Sequence, residues 1–118
     1  MNNSFGYFED LAVDYLKQRG YRVLERNFRN FSGEIDIVAK DKGVLCFVEV
    51  KGRTFPYKYE PLEAVNRSKR KKIEKCVFYY LRQKGLFSLR ARFDVLSIVK
   101  FRQGLEFYLI KGAFNLEE

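Results

Sequence analysis

Asp36 and, thirteen residues later, the triplet Glu49-Val50-Lys51 are the residues of this chain whose types and spacing suit chemistry. An acid on one segment and an acid-x-lysine on the next have a specific use. Asp36, Glu49 and a backbone carbonyl such as that of Val50 can bind Mg2+ or Mn2+ and leave positions for water and a phosphate oxygen. Lys51, on the same face, can orient or help deprotonate the attacking water and offset charge on a phosphorane-like transition state. The sequence contains no histidine. That removes Ser-His-Asp and Cys-His nucleophile systems, His-ligated zinc and every nuclease chemistry with an imidazole base. No Walker lysine loop or glycine-rich dinucleotide fingerprint occurs either. Carboxylates, lysines and an oxygen-loving metal are what remain.

These residues have to be positioned by the stretch Gly33–Lys51, which reads as two β-strands folded back on each other around Asp41-Lys42-Gly43. Two-residue alternation would place Glu34 and Asp36 on one face and Ile35 and Ile37 on the other. On the second strand Phe47, Glu49 and Lys51 would share a face, with Val48 and Val50 opposite. A two-residue Lys42-Gly43 loop gives a register in which paired residue numbers sum to 85. Ile37 then faces Val48, Asp36 faces Glu49, and Glu34 faces Lys51. A slip by one residue would send the carboxylates into the apolar face, so the pattern pins this parity. Two carboxylates opposite each other repel, and a cation is expected between or beside them. The competing reading is the polar face of a half-solvated hairpin, with Glu34 and Lys51 as a surface ion pair worth little. Val38 and Phe47 argue against a freely solvated face.

Around the hairpin, Phe8, Leu11, Ala12, Tyr15 and Leu16 make one face of an amphipathic helix over 5–19 that ends at Gly20. Glu9 lies near its first turn, where a carboxylate complements the helix dipole. A strand is predicted from Tyr21 to Phe28. After the hairpin, GRTFPYKYEP forms a loop in which Arg53, Tyr57 and Lys58 interleave basic and aromatic character, suiting either phosphate contact and base stacking or packing of the rings on the core. A long helix follows, from about Leu62 to Lys84, with Ile73, Cys76, Val77, Tyr80 and Leu81 as its apolar stripe. Its basic cluster Arg67, Lys69, Arg70 and Lys72 is not wholly on the solvent side. Lys69, four residues before Ile73, either snorkels over the core or reaches the edge of the carboxylate site. Strands over 92–100 and 105–111, turning at Arg102-Gln103-Gly104, close the order αβββαββ. That order implies a single α/β domain over 1–118, one mixed sheet with helices packed on it.

Composition bounds the partners. Lysine and arginine number 23 against 15 aspartates and glutamates, a net charge of +8. This favours a polyanion such as nucleic acid, although a merely soluble lysine-rich surface would look the same. No apolar run approaches a membrane span, and no signal-peptide layout opens the chain, so a cytoplasmic protein is expected. Cys46 and Cys76 read as buried thiols.

GEIDIVAKD, then FVEVKGR, then ARFDV and a terminal Ala-Phe resemble, in that order, the YraN-like family of small bacterial proteins, which belongs by similarity to the PD-(D/E)XK nuclease superfamily. The resemblance covers nearly the whole chain. It implies a restriction-endonuclease-like three-layer core and a Mg2+-dependent phosphodiesterase site at Asp36, Glu49 and Lys51. Glu9 matches the helix glutamate that archaeal Holliday junction resolvases, relatives by motif order, add to their metal site. Lys69 matches a lysine usual in the family's second helix. Members usually carry a histidine and an asparagine just before Ala-Phe, where this chain has Tyr108-Leu-Ile-Lys-Gly-Ala113-Phe114.

The reading expected from sequence is a metal-dependent endonuclease acting on DNA, branched or damaged, with Asp36, Glu49 and Glu9 on Mg2+ or Mn2+ and Glu34 orienting Lys51. A four-way junction would require two sites, hence a homodimer. The rivals are a nucleic-acid-binding module with the same fold that does not cleave, and a protein-interaction partner with a basic face.

Overall fold

The computed structural model describes residues 6–56 and 67–114. Helix α1 (Tyr7–Gln18) forms on the predicted apolar spacing and buries Ala12, Val13 and Leu16. Strands β1 (Arg22–Asn30), β2 (Gly33–Asp41) and β3 (Val44–Thr54) follow as an antiparallel meander. Helix α2 (Arg67–Lys84) then carries the chain back, so that β4 (Ala91–Phe101) lies parallel to β3. A crossover of this kind is what a parallel pair requires. Strand β5 (Gly104–Phe114) returns antiparallel to β4, and the spatial order is β1-β2-β3-β4-β5.

The mixed sheet is the middle of three layers. On one face α1 packs over Ile37, Ala39, Cys46, Val48, Leu96 and Ile98; on the other α2 places Ile73, Cys76, Val77 and Tyr80 over Val38, Leu45, Phe47, Phe93 and Val95. Strand β4 is covered on both faces, which is why the run Phe93–Val99 is buried without a break. Cys46 and Cys76 are free, buried thiols, one in each core. No helix among the described residues is long and apolar enough to cross a membrane.

The hairpin register is the expected one. Asp41 pairs with Val44, Lys40 with Leu45, Ala39 with Cys46, Val38 with Phe47 and Ile37 with Val48. Lys42 and Gly43 both take left-handed backbone angles, φ 51° and 84°, the geometry of a two-residue hairpin loop. Two expectations fail beyond Ile37. The ladder stops there, one step short of Asp36 and Glu49, so these residues are not a cross-strand pair. Simple alternation fails as well, because Ile37 enters the core under α1 while Ile35 enters the core under α2. The neighbouring strand turns over at the same level. Arg26 reaches acids of α1, Phe28 packs on Tyr80 of α2, and Asn27 between them has φ 53°. The far end of the β1–β2 hairpin is thereby turned onto α2, where Asn30 donates to the Cys76 carbonyl and Phe31 meets Tyr79.

Candidate metal and nucleic-acid site

Where β2 and β3 part, a backbone N–H of β3 loses its strand partner, and a side chain replaces it. Asp36 Oδ2 accepts the Val50 N–H at 2.7 Å. This single bond fixes the Asp36 carboxylate in the opening between the two strands. Glu49, on the α2 side of β3, accepts at Oε2 from two ammonium groups, Lys51 at 2.9 Å and Lys69 at 2.7 Å. Lys69 arrives from the first turns of α2, so the lysine expected either to snorkel or to reach the site does the latter. Asp36, Val50, Glu49, Lys51 and Lys69 therefore meet at one place, from two strands and a helix.

Electrostatics separates the two acids. Burial, then the neighbouring Glu49 charge, raises the Asp36 pKa to about 7, against the bond from Val50. Glu9 and Glu34 push weakly the same way. Burial also penalises Glu49, but hydrogen bonds from Lys69 and Lys51 outweigh it and hold this carboxyl below its ordinary range. One carboxylate oxygen cannot satisfy two ammonium ions equally. Lys51, the more buried at 14% side-chain exposure against 38%, yields: burial and the adjacent Lys69 bring its pKa down. Lys69 is also desolvated, yet its bond to Glu49 keeps its pKa raised.

Glu9 stands on the other side of the sheet opening, in the first turn of α1. Arg26 of β1 lies 4.0 Å from Glu9 and 2.6 Å from Asp10, tying that turn to the sheet. Arg26 carried no signal in the sequence, since its role depends on β1 lying beside α1. Among the described residues no three acids or thiols gather closely enough to hold a metal ion, so Glu9 is felt by Asp36 without joining it and Glu49. Glu34 is a correction. It pairs with Arg29 of β1 at 3.5 Å and not with Lys51, because the β2–β3 ladder does not extend that far.

Gly52 explains how α1 comes so near. A Cβ on Gly52 would lie 2.1 Å from Cγ of Phe8, so the Phe8 ring rests directly on the β3 backbone, next in sequence to Glu9. Arg53, one residue on, is half-buried, and among the described residues its buried Nε has no hydrogen-bond acceptor. Arg70 lies 3.8 Å from Glu74, and Lys72 is exposed. The side chain of Arg67, and the whole of Tyr57 and Lys58, lie outside the described residues.

A second polar cluster gathers around Asp94 and the β2–β3 hairpin turn. Asp94, with no exposed surface, accepts from Tyr21 Oη, Arg92 and the Gly112 N–H; Arg92 also reaches Asp41 at 2.9 Å, as does Lys111 at 3.2 Å. Hydrogen bonding from Arg92 holds Asp41 low, while burial and Asp94 push the Tyr21 phenol up. Lys111 and Gly112 belong to the segment just before Ala113-Phe114. Every member of this cluster is satisfied, and its work is to fasten β5 and the hairpin turn to β4.

A five-stranded mixed sheet between two helices, in the order αβββαββ with an acid pair and two lysines where β2 and β3 part, defines an α/β protein consistent with a restriction-endonuclease-like core. The family follows from the chain itself. A model of Uncharacterised protein family UPF0102 matches residues 8–98, and the chain belongs to that family, the YraN-like one. The UPF0102 protein of Clostridium kluyveri is 46% identical over 110 residues, covering 92% of this chain and 90% of its own. Those of Persephonella marina, at 43% over 110 residues, and Syntrophus aciditrophicus, at 44% over 108, each cover 92% of this chain and 90% and 85% of their own lengths. The matched span contains Glu9, Asp36, Glu49, Lys51 and Lys69 and stops before β5.

Proposed function

We propose that this chain is a divalent-cation-dependent phosphodiesterase acting on DNA, with branched or damaged DNA as the substrate class. The observation that carries the reading is the meeting of Asp36, Glu49 and two lysines at the opening between β2 and β3. The donor set suits Mg2+ or Mn2+. Two carboxylates and the backbone at Val50 are hard oxygen donors, Asp36 is raised to about 7 partly by the like charge of Glu49, and an ammonium from Lys69 already serves Glu49 as counter-charge. Asp36, Glu49 and the Val50 carbonyl would hold the ion. When bound, it supplies Lewis-acid polarisation of a phosphate oxygen and a more acidic water.

The chain's own groups do the rest. Lys51, with its lowered pKa, is suited to orient the attacking water and to take up its proton. Lys69 would turn from Glu49 to a phosphate oxygen. Arg53, whose buried Nε has no acceptor among the described residues, offers that hydrogen to another. The exposed cations of α2 would add contacts whose strength falls steeply with salt.

One observation favours a second reading, a module that binds nucleic acid without cutting it. Glu9 is held towards Arg26 and no third acid joins the pair among the described residues. Incubating the protein and its Asp36→Ala variant with single-stranded, duplex and branched DNA plus Mn2+ separates the two. Cleavage by the wild type that the variant loses supports the nuclease. Cleavage by neither, with salt-dependent binding retained, supports the module.

A further inference from the structure

The outer face of α2 carries chemistry that the acid pair does not use. Residues 71, 75, 78 and 82 recur at steps of four, three and four and so form one line along the helix. They are Lys71, Lys75, Phe78 and Arg82, all exposed. Beside this line Phe31, 83% exposed, projects from the β1–β2 turn onto Tyr79, with ring centroids 4.6 Å apart. Phe78 meets Tyr79 at 6.2 Å and Phe87 at 5.4 Å. Four rings from three segments thus make one continuous aromatic surface. Scattered exposed apolar residues are ordinary; a contiguous set marks an interaction site.

Charge selects the occupant. The one acid on α2 is Glu74, 3.8 Å from Arg70, and among the described residues no carboxylate pairs with Lys71, Lys75 or Arg82. A second copy meeting this face symmetrically would set these cations against themselves, on a chain of net charge +8. A polyanion meets no such penalty. Duplex DNA would satisfy the cations but hides the faces of its bases from the rings. Single-stranded nucleic acid offers both phosphates and unpaired base faces. The line from residue 71 to 82 is about 16 Å long, roughly the span of five stacked nucleotides.

We propose that the outer face of α2, with Phe31 and Phe87, is a binding track for single-stranded nucleic acid. The choice of polyanion rests on the nucleic-acid reading above; the track itself needs neither metal nor cleavage.

The test is fluorescence anisotropy in EDTA, with a short labelled single strand and a blunt duplex of the same length. The proteins are the wild type and the double variant Phe31→Ala, Phe78→Ala, both sites being exposed and their stability checked by thermal melting. The wild type binds the single strand more tightly. The variant loses roughly tenfold or more of single-strand affinity and keeps its duplex affinity. Equal wild-type affinity for the two DNAs, or unchanged single-strand binding by the variant, overturns the proposal. So does sedimentation of the wild type as a dimer that the variant abolishes, which would assign the face to a second copy. Because no metal is present, failure of the nuclease reading leaves this result unaffected.

Discussion

Asp36 is a buried carboxyl beside another carboxyl, and its pKa of about 7 has a thermodynamic consequence. The folded state binds this proton more tightly than the unfolded chain, whose aspartates titrate near pH 4. The Asp36 contribution to stability is therefore fully present below about pH 4 and is lost as pH rises towards 7. In metal-free protein, Asp36→Asn, which keeps an acceptor for the Val50 N–H, should flatten that part of the stability–pH profile in urea titrations at successive pH values. Lys69 makes a second prediction. Its ammonium competes with an incoming cation for Glu49, so Lys69→Met should tighten Mn2+ binding by roughly tenfold, the worth of one charged hydrogen bond. The sequence made Asp36, Glu49, Lys51 and Lys69 visible through spacing and helical period. Glu34 was misplaced because its expected partner followed from a ladder assumed to continue past Ile37.

At the scale of elements, the placement of α1 depends on Phe8 lying against the bare backbone of Gly52. Gly52→Ala should force the ring, and with it the first turn bearing Glu9, away from β3. A cost of about 1–3 kcal/mol is expected, read as a lower urea midpoint with unchanged slope. The element order, the two-residue hairpin loop and the register from Ile37 to Asp41 were legible because turn chemistry and apolar pattern are local. The turnover of both strands at Asn27 and Asp36 was not. It is imposed by α2, which draws Ile35, Phe28 and Phe31 onto its own side, and alternation within a strand carries no record of a helix distant in sequence.

Over the whole molecule, the two polar clusters do different work. Removing Arg92 would leave the buried Asp94 without its counter-charge, held only by Tyr21 and the Gly112 N–H, and Arg92→Met is expected to cost about 3 kcal/mol in denaturant unfolding, a large share of a small domain's stability. The acid pair behaves in the opposite way, since its charges repel and are eased by lysines instead of locked by an arginine. The sequence announced the basic excess and the mixed α/β sheet. It did not reveal the full aromatic face on α2, to which the β1–β2 turn adds Phe31 by folding over that helix. The central claim is that the opening between β2 and β3 is a divalent-cation site, and calorimetric titration with Mn2+ tests it most directly. One ion should bind the wild type, and binding should be lost in both Asp36→Asn and Glu49→Gln. No heat of binding in the wild type, or the same isotherm in all three proteins, would contradict it.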